Sequence, residues 1–375
     1  MGRMSSAVDI LRELVAIPSI SAISNRPVID VAARTLEDAG WITREFPYSD
    51  PNGIEKVNVI ASPAKQDATE IDRAFVCHTD TVPFVPEAWP NATTLEERDG
   101  FLHGCGACDV KGSLAGILAA IAGTPVQNIA RPVAVVLTAD EEIGCVGATH
   151  LLAAPVLQAK SVIVCEPTSL RPAIAGKGYG LAEVVVQGKE AHSALPKEGA
   201  SAIYAAAKMM LAVEKRGKDG ATRNDLFDPA WTTFNVGVVQ GGTAKNIVPG
   251  TCRFLVEWRP LPGEDPTAAL EWLKGLATET EREYPGCLVI VDGRRADDGF
   301  AYSPDSRLVQ SLIQLIGKKP TGISFGSEAT RFAKIADEVV VVGPGDMHTA
   351  HSDRECVAIA DLEAWTECVR HLLTH

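Results

Sequence analysis

Val133-Ala-Val-Val-Leu-Thr-Ala-Asp-Glu-Glu-Ile-Gly144 is the stretch that decides how the chain is read. It opens as an apolar, β-branched run with no helical period, the pattern of a strand buried on both faces of a sheet. It then stops in three acids, Asp140, Glu141 and Glu142. Neighbouring carboxylates repel one another and lose solvation at such a place, so the cluster calls for a strong cation among them, most simply a metal ion. A solvated loop is the ordinary alternative, and the other histidines and acids decide between the two.

Four further segments have the same character. Ala74-Phe-Val-Cys-His-Thr-Asp-Thr81 reads as a strand ending in His78, with Asp80 spaced to accept the second imidazole N–H and fix the metal-binding tautomer. Gly104-Cys-Gly-Ala-Cys-Asp-Val-Lys-Gly112 places Asp109 in a glycine-rich turn before a helix, and Glu166 follows the buried run Ser161–Cys165. Met347-His-Thr-Ala-His351 supplies an imidazole after the last strand. Singly, each has a dull explanation: a hydrogen-bonded core histidine, or Asp109 as a helix cap. Together, two histidines and three carboxylates exceed one tetrahedral zinc but suit two ions about 3.5–4 Å apart bridged by a carboxylate. Glu141, beside a ligand without being needed as one, is then free to act as general base.

The chain has 375 residues, which favours two domains. Its net charge of −13 argues against nucleic acid or an acidic membrane surface as partner and leaves small molecules. The odd number of scattered cysteines suits a reducing compartment. With no membrane-length apolar run and no signal-peptide pattern, the expected location is cytoplasmic. Cys105-Gly-Ala-Cys108, with His103 just before it, is formally a redox or zinc motif but lacks a second pair.

Ser5 or Ser6 is expected to cap a first helix, and a second begins near Asn25 and Pro27. Strands are expected at Ile42–Phe46, Val57–Ala61, Ala74–His78, Val133–Thr138 and Ser161–Cys165, with helices at Lys111–Ala122 and near Gly147–Ala153. This alternation is that of an α/β sheet. Gly176-Lys-Gly-Tyr-Gly180 lacks the spacing of a phosphate loop and reads as a hinge. Beyond it, strands and helices follow in the order βαββαβ, the length of one small α+β domain inserted into the larger one. After Arg294 the α/β character returns, with helices at Pro304–Gly317 and Ser327–Ile335, a strand at Glu338–Val342 and a last helix from Ala360 to Leu373. The expected division is therefore residues 1–176 and 294–375 for the catalytic domain and 177–293 for the insert.

His78-Thr-Asp80, Gly104-x-Gly-x-x-Asp109-x-Lys-Gly112, Thr138-Ala-Asp-Glu-Glu142, Glu166-Pro-Thr168 and Ala350-His351 together resemble the acetylornithine deacetylase and succinyl-diaminopimelate desuccinylase family of co-catalytic zinc amidohydrolases. The resemblance implies an α/β, mixed-sheet zinc aminopeptidase-like catalytic domain with a ferredoxin-like lid and dimerisation insert. It implies Asp109 as bridge, His78 and Glu166 on one zinc, Glu142 and His351 on the other, Glu141 as base, Asp80 behind the ligands and a cis peptide after Asp109. Cobalt or manganese suit the same donors. His192, in Glu190-Ala-His192-Ser, matches the family histidine that reaches the partner subunit's site to stabilise the oxyanion. Asn246 and Arg259 match substrate-carboxylate binders, with Lys177 and Ser327 as further candidates. Arg259-Pro-Leu-Pro-Gly and Phe325-Gly-Ser-Glu-Ala look most like the acetylornithine branch, while Arg354 stands where the family carries an acid. The implied activity is hydrolysis of an N-acyl amino acid, foremost N2-acetylornithine to ornithine and acetate, by a homodimer. Succinylated diamino acids, other acylamino acids or small peptides are the alternative substrates, and a silent zinc-binding scaffold is the alternative class.

Overall fold

The computed structural model describes residues 6–64, 70–220 and 222–375. It divides into two compact units: Met1–Ile174 with Tyr302–Thr321 and Ser327–His375, and Ala175–Ala301 with Gly322–Gly326. The chain leaves the second unit later than expected because the strand Leu288–Asp297 continues past Asp292, through a register shift between Gly293 and Arg295.

The first unit is built on a sheet in which Val133–Thr138, Glu70–His78, Gln158–Val164 and Ala336–Val341 run parallel. The Val133 strand lies between Glu55–Pro63, antiparallel, and the Glu70 strand, parallel, and all six of its residues are buried. Trp41–Ser49 pairs antiparallel with Glu55–Pro63 at the sheet's margin. Fully covered parallel strands need helices on both faces, which is why these segments read as continuous apolar runs. The helix Lys111–Ala122 is buried from Lys111 to Ile121, and small residues permit this: a Cβ on Gly116 would sit 2.6 Å from the Trp365 ring. Trp365, in the last helix Ile359–Thr374, donates its indole N–H to the Ser113 carbonyl at 3.0 Å.

Ser6 caps the first helix, Ala7–Val15, with a full capping box to Asp9, while Ser5 lies outside the described residues. Asn25 precedes the helix Arg26–Asp38 but does not cap it. Its side chain instead bonds Val57 main-chain N and O and the Thr79 hydroxyl, tying the helix start to the sheet. Short strands Glu96–Arg98, Phe101–His103 and Cys356–Ala358 form a small separate sheet that the sequence does not announce. The helix expected over Ser327–Ile335 is only Ala329–Phe332.

The second unit has the order Tyr179–Gln187, helix Ala202–Asp219, Thr233–Gly241, Thr251–Arg259, helix Ala268–Glu283 and Leu288–Asp297. Its sheet places the second of these strands beside the third, the third beside the first and the first beside the fourth, all antiparallel, which is the ferredoxin-like arrangement. Alternate residues Ala182, Val184, Val186, Phe254, Val256 and Trp258 pack with Ala205, Met209, Leu273 and Ala277 from the helices. Gly180 is not only part of a flexible linker: a Cβ there would lie 1.8 Å from the Trp258 ring, so the glycine makes room for that indole.

Candidate metal centre

In open parallel sheets, chemistry collects beyond the carboxyl ends of the strands. His78 ends its strand, Asp140, Glu141 and Glu142 follow Thr138, Glu166 follows Val164, and His351 lies in the loop after Val341. These ends bring the donors together. His78 Nε2 lies 3.0 Å from Asp109 Oδ1, and His351 Nε2 lies 3.1 Å from both Asp109 Oδ2 and Glu142 Oε2. His78, Asp109 and Glu166 form one group able to hold a metal ion, Asp109, Glu142 and His351 form another, and Asp109 belongs to both. Within each group the ligand atoms lie within 4.8 Å of one another. The Asp109–Val110 peptide is cis, and Asp140 and His351 both have positive φ.

The electrostatics of this cluster fit a cation. Burial pushes the Glu166 carboxyl well above the ordinary range, with Asp109 and Glu141 adding repulsion, and its Oε1 is buried without a hydrogen-bond partner. Glu142 is also raised, chiefly by burial. Hydrogen bonds that its ring donates to Asp109 and Glu142 raise His351 to about 10. His78 is lifted well above its usual value: burial opposes its charge, but the hydrogen bond to Asp109 prevails. Burial likewise works against Asp109, whose carboxyl is nevertheless held low by hydrogen bonds from His351 and His78. The carboxylates thus favour positive charge on both imidazoles, in a place shaped for cations. Two divalent ions would meet three carboxylates and two imidazoles there, a donor set suited to the charge.

Glu141 is partly buried, and burial raises its carboxyl to about 8, with His78 opposing and Glu142 reinforcing the shift. Its Oε1 accepts from the Cys145 thiol at 3.4 Å. The loop carrying Glu141 and Glu142 is fixed from behind. Asp80 accepts their main-chain N–H groups at 3.1 and 3.2 Å and the Ser21 hydroxyl at 2.7 Å. His78 Nδ1 is nearer to the Asp80 main-chain carbonyl, at 3.0 Å, than to its carboxylate, at 3.7 Å. Asp80 therefore orients the histidine through its backbone and the acidic loop through its side chain, a division of labour the spacing did not suggest.

Several supporting residues escaped the sequence reading. Lys56, 1% exposed, bonds Asp140 Oδ1 at 2.7 Å and the Ser21 and Ile23 carbonyls, while Tyr48 donates to Asp140 Oδ2 at 2.8 Å. Glu355 Oε1 accepts the main-chain N–H groups of Cys108 and Asp109, both at 3.1 Å, and so holds the bridging segment. Glu328 accepts from the Thr138 hydroxyl at 2.9 Å, and burial raises its carboxyl to about 7. Its only sequence signal was its place beside Ser327.

Other candidates are placed as follows. Ser327 is buried and accepts from Ala329 N at 3.3 Å, at the start of a helical turn. Lys177 is buried, and its ammonium is committed to the Pro229 and Trp231 carbonyls at 2.8 and 2.6 Å. These contacts brace it within the second unit. Arg259 pairs with Glu257 at 2.9 Å and lies over the Tyr179 ring. His192 and Asn246 are exposed on neighbouring segments joined by the His192–Ile247 bridge. His192 Nδ1 accepts from Ala194 N at 3.1 Å, which leaves Nε2 as its outward donor. Cys105 and Cys108 are free, buried thiols, burial pushing Cys105 up to about 12 and Cys108 well above the ordinary thiol range, and among the described residues neither joins a metal group with His103. The CxxC is thus packing, not redox chemistry.

Residues 74–375 match the sequence profile of peptidase family M20/M25/M40. The chain is 42% identical over 355 residues to an acetylornithine deacetylase from Myxococcus xanthus, covering 94% of this chain and 92% of the relative. Its fold is similar to a tripeptidase from Staphylococcus aureus, with TM-score 0.80, 22% identity and coverage of 99% and 98% of the two chains. It is also similar to a dinuclear metal-binding peptidase of the M20 family from Bacillus subtilis, with TM-score 0.68, 17% identity and coverage of 98% and 96%. Profile, full-length relative and fold agree, and this chain belongs to peptidase family M20/M25/M40.

Proposed function

We propose that the protein is a dizinc amidohydrolase that cleaves N-acyl amino acids, with N2-acetylornithine as substrate and ornithine and acetate as products. The observation that carries this reading is the pair of donor groups that share Asp109, with Glu141 adjacent to Glu142 and partly buried. His78, Asp109 and Glu166 would hold one ion, and Asp109, Glu142 and His351 the other. When bound, the ions would acidify a water and polarise the acyl carbonyl. Glu141 takes the proton from the attacking water as its oxygen adds to the acyl carbon, then delivers it to the amine nitrogen as the acyl C–N bond breaks. Asp80, through the Glu141 and Glu142 N–H groups, keeps the base and its neighbouring ligand in register.

The substrate assignment is supported by the similarity to the M. xanthus acetylornithine deacetylase, and in this reading the enzyme serves arginine biosynthesis and works in the cytoplasm. The second unit serves as lid and dimerisation domain in this reading. Tyr204, Leu211, Val238 and Val239 leave large apolar side chains exposed on its helix and edge strand, as a homodimer contact would require. His192 then supplies an oxyanion donor across the dimer, and Asn246 and Arg259 bind the substrate carboxylate. A panel of N-acetyl, N-succinyl and dipeptide substrates with ninhydrin detection of released amine tests the assignment. The highest kcat/KM is expected for N2-acetylornithine, and a preference for succinylated or peptide substrates would overturn it.

A further inference from the structure

One corner of the second unit's sheet gathers charge around an aromatic ring. The helices cover the face bearing Ala182, Val184, Val186, Phe254, Val256 and Trp258, so the alternate residues of these strands lie on the other face. Tyr179 begins the strand Tyr179–Gln187, with Asp297 directly opposite it on one neighbouring strand. On the other neighbour Trp258 faces Gly180, which brings Arg259, one residue on, beside Tyr179. All of these residues belong to the second unit.

Two arginines use the Tyr179 ring. The guanidinium carbon of Arg259 lies 4.5 Å from the ring centre and that of Arg295 lies 4.8 Å from it, both within cation–π reach. The two like charges can share the ring because each has its own carboxylate: Arg259 Nε donates to Glu257 at 2.9 Å, and Arg295 Nε donates to Asp297. Arg259 is thus held twice, by its Nε and by one face. Among the described residues its Nη1 and Nη2 make no hydrogen bond or ion pair, and the side chain is 24% exposed. A guanidinium fixed in this way keeps two N–H groups aligned along one edge, the shape that meets both oxygens of a carboxylate.

We propose that Tyr179 is a positioning residue for substrate recognition, its ring holding the Arg259 guanidinium so that Nη1 and Nη2 face the α-carboxylate of the N-acyl amino acid. This rests on the reading of Arg259 as a ligand of that carboxylate. Without the ring, Arg259 keeps its charge and its Glu257 contact but can turn about its side-chain bonds. Attraction then survives, and the two-pronged fit does not.

The test is steady-state kinetics of the metal-loaded full chain on the best substrate of the acyl amino acid panel, expected to be N2-acetylornithine, and on its α-carboxamide. Tyr179→Leu should raise KM for the carboxylate about tenfold and leave kcat near its original value, because the contact it loses is made equally before and during the reaction. The carboxamide cannot make the two-pronged contact, so the same change should affect it little. Tyr179→Phe keeps the ring and should recover most of the loss. Arg259→Ala should remove the preference for carboxylate over carboxamide, and adding Tyr179→Leu to it should cost nothing more. Equal losses on the two substrates, additive losses in the double variant, or Tyr179→Phe as poor as Tyr179→Leu would each overturn the role of Tyr179. A preference for the carboxylate that survives in Arg259→Ala would overturn the reading of Arg259 beneath it, and the proposal with it.

Discussion

Replacing Lys56 by Met keeps the length of the side chain and removes its charge, and the structure sets what that costs. The ammonium is 2.7 Å from Asp140 Oδ1, 2.6 Å from the Ser21 carbonyl and 2.8 Å from the Ile23 carbonyl, with both charged side chains 1% exposed. After the change Asp140 keeps the Tyr48 hydroxyl, one donor for a buried charge, and two carbonyls lose a partner. Breaking a buried pair by removing one member costs about 3–5 kcal/mol. At about 2–4 °C per kcal/mol for a unit of this size, that is a fall in melting temperature of about 6–20 °C. Scanning calorimetry of the metal-loaded protein should show it in the transition that includes the first unit. Adding Asp140→Asn to Lys56→Met should cost less than Asp140→Asn alone, because the second change removes a charge already stranded. Asp140 holds the end of the strand from which Glu141 and Glu142 project, so turnover should fall with stability. A shift below about 2 °C, or additive costs in the double variant, would refute the idea that this pair anchors the acidic loop.

Four further outcomes are expected. Glu141→Ala should retain both metals by elemental analysis and lose about 10²–10⁴ in kcat; normal turnover would remove it as base. Glu355→Ala leaves the Cys108 and Asp109 N–H groups without their acceptor and should weaken metal retention in a chelator titration, while Glu355→Gln, which keeps an acceptor oxygen, should retain the metals. His192→Ala should lower kcat without changing metal content, and unaltered kinetics would remove its oxyanion role. The metal-free protein should take up zinc more tightly as pH rises from about 6.5 to 10. His351 is raised to about 10, holds a proton in that range and must release it to the buffer on metal binding. Calorimetry in buffers of different ionisation enthalpy measures that release, and none at pH 8 would contradict the assignment of His351.

The convergence of the five donor side chains was legible because local pattern and chemistry coincide. His78, Glu142 and Glu166 each interrupt or follow an apolar run, so the place where periodicity stops is also where the metal would sit. The βαββαβ order of the second unit was legible for the same reason, since its strands alternate buried and exposed residues. The supporting contacts were not. Lys56 meets Asp140 84 residues away, Thr138 meets Glu328 across 190, and Cys108 meets Glu355 across 247. Nothing in the neighbourhood of a single lysine or glutamate records a partner that distant. The contacts of Lys177 were equally hidden. The hinge-like glycines around it say nothing of the Pro229 and Trp231 carbonyls, more than fifty residues on, that its ammonium meets. The helix expected from Ser327 to Ile335 was overextended because the chain turns after Phe332 to enter the strand Ala336–Val341.

Anomalous diffraction from crystals grown with zinc tests the central claim most directly. Two peaks are expected about 3.5–4 Å apart, both beside Asp109, one also touching His78 and Glu166 and the other Glu142 and His351. A single peak, or a second one away from Asp109, would contradict the shared-carboxylate centre on which the proposed hydrolysis depends.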